Sequence, residues 1–224
     1  MDVILISGTS RGLGHALALQ YLKERCLVIG IARGETPIRD KNYVHLAADI
    51  TDSGFQQQLE SLLAKRLIRA INLVINNGGS AGQGDHLSQL EPDDVLAQVN
   101  LHCVGALRVI KAAKKYLRKA KIVNVSSRLG SIVQTVRGDF ATRDFSYGYR
   151  IGKCAQNMLS LCLQGDEELA GTVIISINPG LLLTDLGASD ASHSAEDGAR
   201  AFIEVVRNAD HSGMYHAFGD EALY

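Results

Sequence analysis

Val3-Ile4-Leu5-Ile6-Ser7-Gly8-Thr9-Ser10-Arg11-Gly12-Leu13-Gly14 is the stretch that decides the fold. Apolar β-formers run straight into glycines spaced four and two residues apart, and a helical pattern over 12–24 follows. In that order, Gly8 permits a tight turn out of the strand. Gly12 lets backbone approach a pyrophosphate, and Gly14 lets the helix pack closely on the sheet. The N–H groups at the helix start then face the anion.

The same alternation runs to the end of the chain. Cys26–Ile31, Leu73–Ile75, Ile122–Val125 and Val173–Ile177 are short Val- and Ile-rich runs without strict alternation, as strands covered on both faces are. Tyr43–Ala47 adds a less apolar strand and Ser212–Phe218 a last one. Helical stretches over 53–66, 92–118, 146–164 and 195–208 fill the gaps, with Pro92 placed for a first turn. This order predicts an α/β fold: one doubly wound parallel β-sheet flanked by helices on both faces. No repeat, low-complexity tract or linker divides the chain, so 1–224 is expected to be one domain.

Composition bounds the partners. The 224 residues carry 23 Lys plus Arg against 24 Asp plus Glu, a formal charge of −1, and 46% are hydrophobic. Such a balance excludes a chain that coats nucleic acid or an anionic membrane. No apolar run approaches the roughly 18 residues of a membrane span, and Met1-Asp2 lacks the basic head of a signal peptide. A cytoplasmic location is expected. Cys26, Cys103, Cys154 and Cys162 form no CxxC pair and read as free thiols. The histidines show no ligand spacing, so no metal is expected. Lys111, Lys114, Lys115, Arg118, Lys119 and Lys121 read as a solvated basic end to the helix over 92–118.

The second strand ends at Ile31-Ala32-Arg33. An NAD site places an acidic residue there to hold the adenosine ribose hydroxyls. Here Arg33 takes the position and Arg11 lies in the glycine turn, two guanidiniums suited to a 2′-phosphate. NADP(H) is therefore favoured over NAD(H).

Five further segments follow in order. Asn76-Asn77-Gly78-Gly79 ends one strand, Val99-Asn100-Leu101 lies in a helix, and Val123-Asn124-Val125-Ser126-Ser127-Arg128-Leu129-Gly130 ends another strand. Tyr149-Arg150-Ile151-Gly152-Lys153 lies on a helix, and Asn178-Pro179-Gly180-Leu181-Leu182-Leu183-Thr184-Asp185 follows the strand over 173–177. With the glycine turn, these segments resemble the short-chain dehydrogenase/reductase family almost from end to end. The chain is similar to its small C-factor-like and carbonyl-reductase members. The resemblance implies a Rossmann-type fold and a catalytic set of Asn100, Ser127, Tyr149 and Lys153. It implies a cofactor site formed by Gly8, Ser10, Arg11, Gly12, Leu13, Gly14, Arg33, Asp49, Ile50, Asn77, Gly78, Gly79, Tyr149, Lys153, Pro179, Gly180, Leu182 and Thr184. It also implies a homodimer or homotetramer formed through the helices over 92–118 and 146–164.

Elementary chemistry supports these roles. Residues four apart share a helix face, so Tyr149 and Lys153 meet. A phenol of pKa about 10 is a poor acid–base group near neutrality, and a neighbouring ammonium lowers that pKa. Ser127 would hold and polarise a carbonyl oxygen. By resemblance, Asn100 would anchor a water linking Lys153 to solvent. The expected activity is hydride transfer from NADPH to a ketone or aldehyde, with Tyr149 giving the proton. The alternative is an NAD(P)-binding signalling or regulatory protein with little turnover. Tyr147 and Ser126 are rivals, but only Tyr149 has a lysine four residues on, and only Ser127 stands three before Gly130.

Some positions depart from the family pattern. Ser7 and Gly78 replace Thr and Ala, and Gly152 stands where Ser or Ala is usual, at a helix cost of about 1 kcal/mol. Tyr149 follows Ser127 by 22 positions, a wide gap. The extra segment Val133–Ser146, with Arg137, Asp139, Arg143 and Asp144, is expected beside the substrate. The stretch from Asp185 to the helix near Ala195 is short, so a short lid and an open site are expected.

Overall fold

A computed structural model describes residues 1–139, 146–187 and 191–218. Seven parallel strands form one sheet in the order β3-β2-β1-β4-β5-β6-β7. They are β1 Val3–Ser7, β2 Leu27–Ala32, β3 Tyr43–Ala47, β4 Ile71–Asn76, β5 Leu117–Val125, β6 Val173–Asn178 and β7 Gly213–His216. The helices are α1 Gly12–Lys23, α2 Phe55–Lys65, α3 Pro92–Val99, α4 Gly105–Ala113, α5 Ile132–Arg137, α6 Tyr147–Gln164 and α7 Ala195–Asn208. This is the doubly wound α/β sheet that the order of elements predicts.

Successive side chains of a strand point to opposite faces. Ile4 and Ile6 of β1 therefore join one core layer, with Leu13 and Leu17 of α1 and Phe202 and Ile203 of α7. Val3 and Leu5 join the other, with Phe55, Leu59 and Leu63 of α2 and Val109 and Ile110 of α4. Each fully buried Phe or Leu contributes about 1.5–3 kcal/mol. After β3 the chain crosses back past β1 to start β4. Strand order reverses between β1 and β4, and this opens a crevice at their carboxyl ends.

The helix expected over 92–118 is interrupted. A π-helical turn, Asn100–Val104, separates α3 from α4, and β5 already begins at Leu117. Arg118, Lys119 and Lys121 thus lie on a strand, not on a helix end. Lys121 closes the end of α7, its Nζ donating to the carbonyls of Val206 and Ala209 at 2.5 and 2.7 Å. The helical run Pro92–Tyr116 also has the length and mean hydropathy, 1.2, of a membrane span. The sequence expectation missed it because scattered charges break its apolar run. In the fold it covers the sheet and buries Ala106, Val109, Ile110, Ala112 and Ala113. The segment expected to be an insertion starts inside α5; Arg143 and Asp144 lie outside the described residues.

Candidate active site

The chain leaves β1 through Gly8, at φ +79°, whose N–H donates to the Ile31 carbonyl at 2.7 Å. Arg11 precedes α1, and the helix has no side-chain cap and no acidic residue in its first turn. Its leading N–H groups are open to an anion. A methyl on Gly14 would strike the Gly8 carbonyl oxygen and the Asn77 amide. Glycine there seats the helix on the loop. Asn77 Nδ2 donates to the carbonyls of Ser7 and Gly8, both at 3.1 Å, and Ser7 Oγ accepts from the N–H groups of Asn77 and Gly78. Serine at position 7 thus keeps the acceptor that threonine would supply. Uncapped helix start and close-packed glycines fit the pyrophosphate of a dinucleotide. Gly14→Ala is expected to cost about 1–3 kcal/mol of stability through overpacking, read from urea unfolding. An unchanged midpoint would mean that the loop yields freely.

The cradle opens into a cleft of about 1160 Å³. Gly8, Ser10, Arg11, Gly12, Leu13, Arg33, Asp49, Ile50, Asn77, Gly78, Gly79, Ser127, Tyr149, Lys153, Pro179, Gly180, Leu182 and Thr184 all line it. Gly14 lies behind the loop, as its packing role requires. Asn100 is also outside the lining. Its Nδ2 donates to the Thr51 carbonyl at 3.2 Å, and its Oδ1 accepts from Arg108 at 2.8 Å. The side chain ties the π-helical turn to the loop after β3.

At one end of the cleft stand Arg11 and Arg33, with side chains 77% and 81% exposed. Arg11 pairs with Asp185 at 2.8 Å, and Arg33 lies 4.0 Å from Asp49. Exposed pairs of this kind are worth at most about 1 kcal/mol, so a phosphate dianion can compete for either arginine.

At the other end the two serines diverge. Ser126 is 2% exposed and donates from Oγ to Asn157 Oδ1 at 2.5 Å. Ser127 lines the cleft, and its Oγ accepts from the Leu129 N–H at 3.2 Å. The tyrosines diverge too: Tyr149 is 7% exposed and lines the cleft, whereas Tyr147 is 44% exposed and does not. Ser146 caps α6 by accepting from the Tyr149 N–H at 3.1 Å, and it donates to the Ala81 carbonyl at 2.6 Å. Gly152 has a tertiary reason. A methyl there would come within 2.8 Å of the Gln98 carbonyl, so the glycine lets α6 press against α3.

Lys153 is buried, its Nζ 5.9 Å from the Tyr149 ring centroid. Burial pulls its pKa down to about 7. His102, from the π-helical turn, meets the Tyr149 ring edge-on at 5.4 Å. Burial first, then the Lys153 charge, push its pKa well below the ordinary imidazole value, so its ring is neutral.

A buried polar ladder escaped the sequence reading. Asn76 Nδ2 donates to Asn124 Oδ1, Asn124 Nδ2 to Ser160 Oγ, and Ser176 Oγ to Ser160 Oγ, each at 2.8 Å. It bolts α6, which carries Tyr149 and Lys153, to β4, β5 and β6. The available signal was an asparagine near the end of each of two apolar strands.

The family model for short chain dehydrogenase matches residues 2–195. The chain is similar to C-signal of Myxococcus xanthus, 30% identical over 150 residues that span 65% of this chain and 87% of that one. It is also similar to the 1-hydroxy-2-glutathionyl-2-methyl-3-butene dehydrogenase of Rhodococcus sp. (strain AD45), 27% identical over 94% of this chain and 91% of the relative. Its fold matches an NADPH-bound carbonyl reductase from chicken fatty liver with a TM-score of 0.85, at 20% identity and with 100% of both chains covered. The match runs from β1 to the first residue of α7, and the cradle, the serine and the Tyr–Lys pair share one cleft. The chain therefore belongs to the short-chain dehydrogenase family of NAD(P)-dependent oxidoreductases.

Proposed function

We propose that this chain is an NADPH-dependent reductase that converts a ketone or aldehyde to an alcohol, with one domain holding both cofactor and substrate. The observation that carries the reading is the grouping of Tyr149, Lys153 and Ser127 in a cleft continuous with the phosphate cradle. A bound nicotinamide would supply the hydride. The glycine turn would hold the pyrophosphate, Asp49, Ile50 and Asn77–Gly79 the adenosine side, and Pro179–Thr184 the nicotinamide side. Lys153 would hold the ribose and favour the phenolate form of Tyr149. Ser127 would hold the substrate oxygen while Tyr149 donates a proton to it. Asn100 is given a positioning role through Thr51 and Arg108.

The test is NADPH oxidation with para-nitrobenzaldehyde, benzil and phenanthrenequinone, where saturable turnover of at least one is expected. Saturable NADPH binding without turnover of any of them would favour a cofactor-binding regulator, the reading that similarity to C-signal supports.

Arg11 and Arg33 carry the cofactor preference. Charge-assisted bonds to a 2′-phosphate are worth about 1.5–3 kcal/mol, so Arg33→Asp is expected to weaken NADPH by about tenfold or more relative to NADH. An unchanged ratio of the two dissociation constants would remove Arg33 from the phosphate site. Leu96 on α3 and Ile151 and Met158 on α6 are 65%, 43% and 57% exposed, which supports a homo-oligomer formed through this face.

A further inference from the structure

Lys153 is a cation with 3% exposure, and its hydrogen bonds among the described residues go to two uncharged oxygens. The Val125 carbonyl accepts at 2.6 Å and Gln156 Oε1 at 3.1 Å. Gln156 is itself 1% exposed, one turn along α6 on the same face. A long carboxamide at such a position costs stability unless its polar atoms are engaged. Its neighbours are committed elsewhere: Asn157 accepts from Ser126, and Ser160 accepts from Asn124. The ammonium is what the Gln156 oxygen engages.

We propose that Gln156 is a positioning residue for Lys153, keeping its ammonium charged and fixed while the third N–H stays available for a ribose hydroxyl. An ammonium has three donors, and the two acceptors fix the direction of the remaining one. Gln156 touches no reacting atom and acts through the lysine. The proposal rests on the reading of the cleft as a nicotinamide site. The titratable groups facing the ammonium are Tyr149 on its own helix and His102 from the π-helical turn; β5 contributes a carbonyl. His102 Nε2 lies 3.2 Å from the Ser80 carbonyl and 3.0 Å from Gln98 Oε1, two acceptors that fix it as a neutral donor. Among the described residues the ammonium donates to the Val125 carbonyl and to Gln156 Oε1, and of these two the Gln156 dipole is the adjustable one.

Removing a dipole that favours the charged form moves the lysine titration down; a carboxylate moves it up. The experiment measures the dissociation constant of NADPH by its fluorescence from about pH 6 to about pH 10, with urea unfolding in parallel. It uses the full chain, Gln156→Leu, Gln156→Glu and Lys153→Met. Wild-type affinity should fall as Lys153 loses its proton. The midpoint should move down by about one unit in Gln156→Leu and up by about one unit in Gln156→Glu. A glutamine that merely fills space gives no such opposed shifts. Identical midpoints in folded variants overturn the proposal. If Gln156→Leu fails to fold, Gln156→Glu decides alone by the presence or absence of its upward shift. If Lys153→Met binds NADPH like wild type at every pH, the cofactor reading fails instead.

Discussion

Tyr149→Phe is expected to lower kcat by about 10²–10⁴-fold, the span of a lost general acid. NADPH affinity should stay within about twofold, because the hydroxyl acts in the transition state and not in cofactor binding. The substitution suits the site. The ring lies edge-on to His102 at 5.4 Å and 5.9 Å from Lys153 Nζ, and phenylalanine keeps both contacts while deleting the proton. Tyr147 cannot take over. It stands two residues back, about 200° around the helix, is partly exposed and does not line the cleft. Ser127 remains to hold the substrate oxygen, so a residual rate is expected. Single-turnover oxidation of bound NADPH with para-nitrobenzaldehyde separates the chemical step from binding. A variant that retained wild-type kcat would mean that the proton comes from another group.

The parts of this molecule that were legible in sequence are those set by local pattern. Strands covered on both faces read as continuous apolar runs, and the glycine turn sits in a fixed place between the first of them and a helix. The first half of β5 did not read as strand because its apolar run is broken: Leu117 and Ala120 are buried, while Arg118 and Lys119 between them are exposed. The π-helical turn from Asn100 to Val104 is surrounded by tertiary contacts. Ile50 presses to within 2.9 Å of where a Gly105 side chain would be, and Arg108 reaches back to Asn100 and the Ile50 carbonyl. Arg11 pairs with Asp185 across the cleft, far away in sequence, which no local spacing announces. Gly152 read as a helix defect in isolation and is a contact surface in the fold. Short motifs pointed to candidate residues that the fold gathers along one cleft; the residues packed around them, Gln156, His102 and the Asn76–Asn124–Ser160 ladder, depend on which elements the sheet brings together.

Lys153→Met is expected to abolish turnover and to erase a pH dependence of stability that the wild-type chain carries. Burial pulls the folded pKa of Lys153 down to about 7, well below the ordinary lysine value of about 10.4. Below the folded value the ammonium is charged in both states, and its full burial cost weighs against folding. Between the two values the unfolded chain binds a proton that the folded chain does not. Stability therefore rises with pH through that window, by as much as about 5 kcal/mol in total. Methionine fills a similar volume and carries no charge, so the variant should lack the rise. Urea unfolding of both chains, near pH 6.5 and near pH 9.5, reads the difference directly. A wild-type stability that stayed parallel to that of the variant would show that the lysine is not desolvated. On the proposed function, the buried ammonium is a stability cost kept for the charge it places beside Tyr149, the common trade between a stable fold and a poised site. A ribose hydroxyl that accepts from the Lys153 ammonium favours the charged form, so saturating NADPH should flatten the wild-type rise and leave the pH profile of the variant flat.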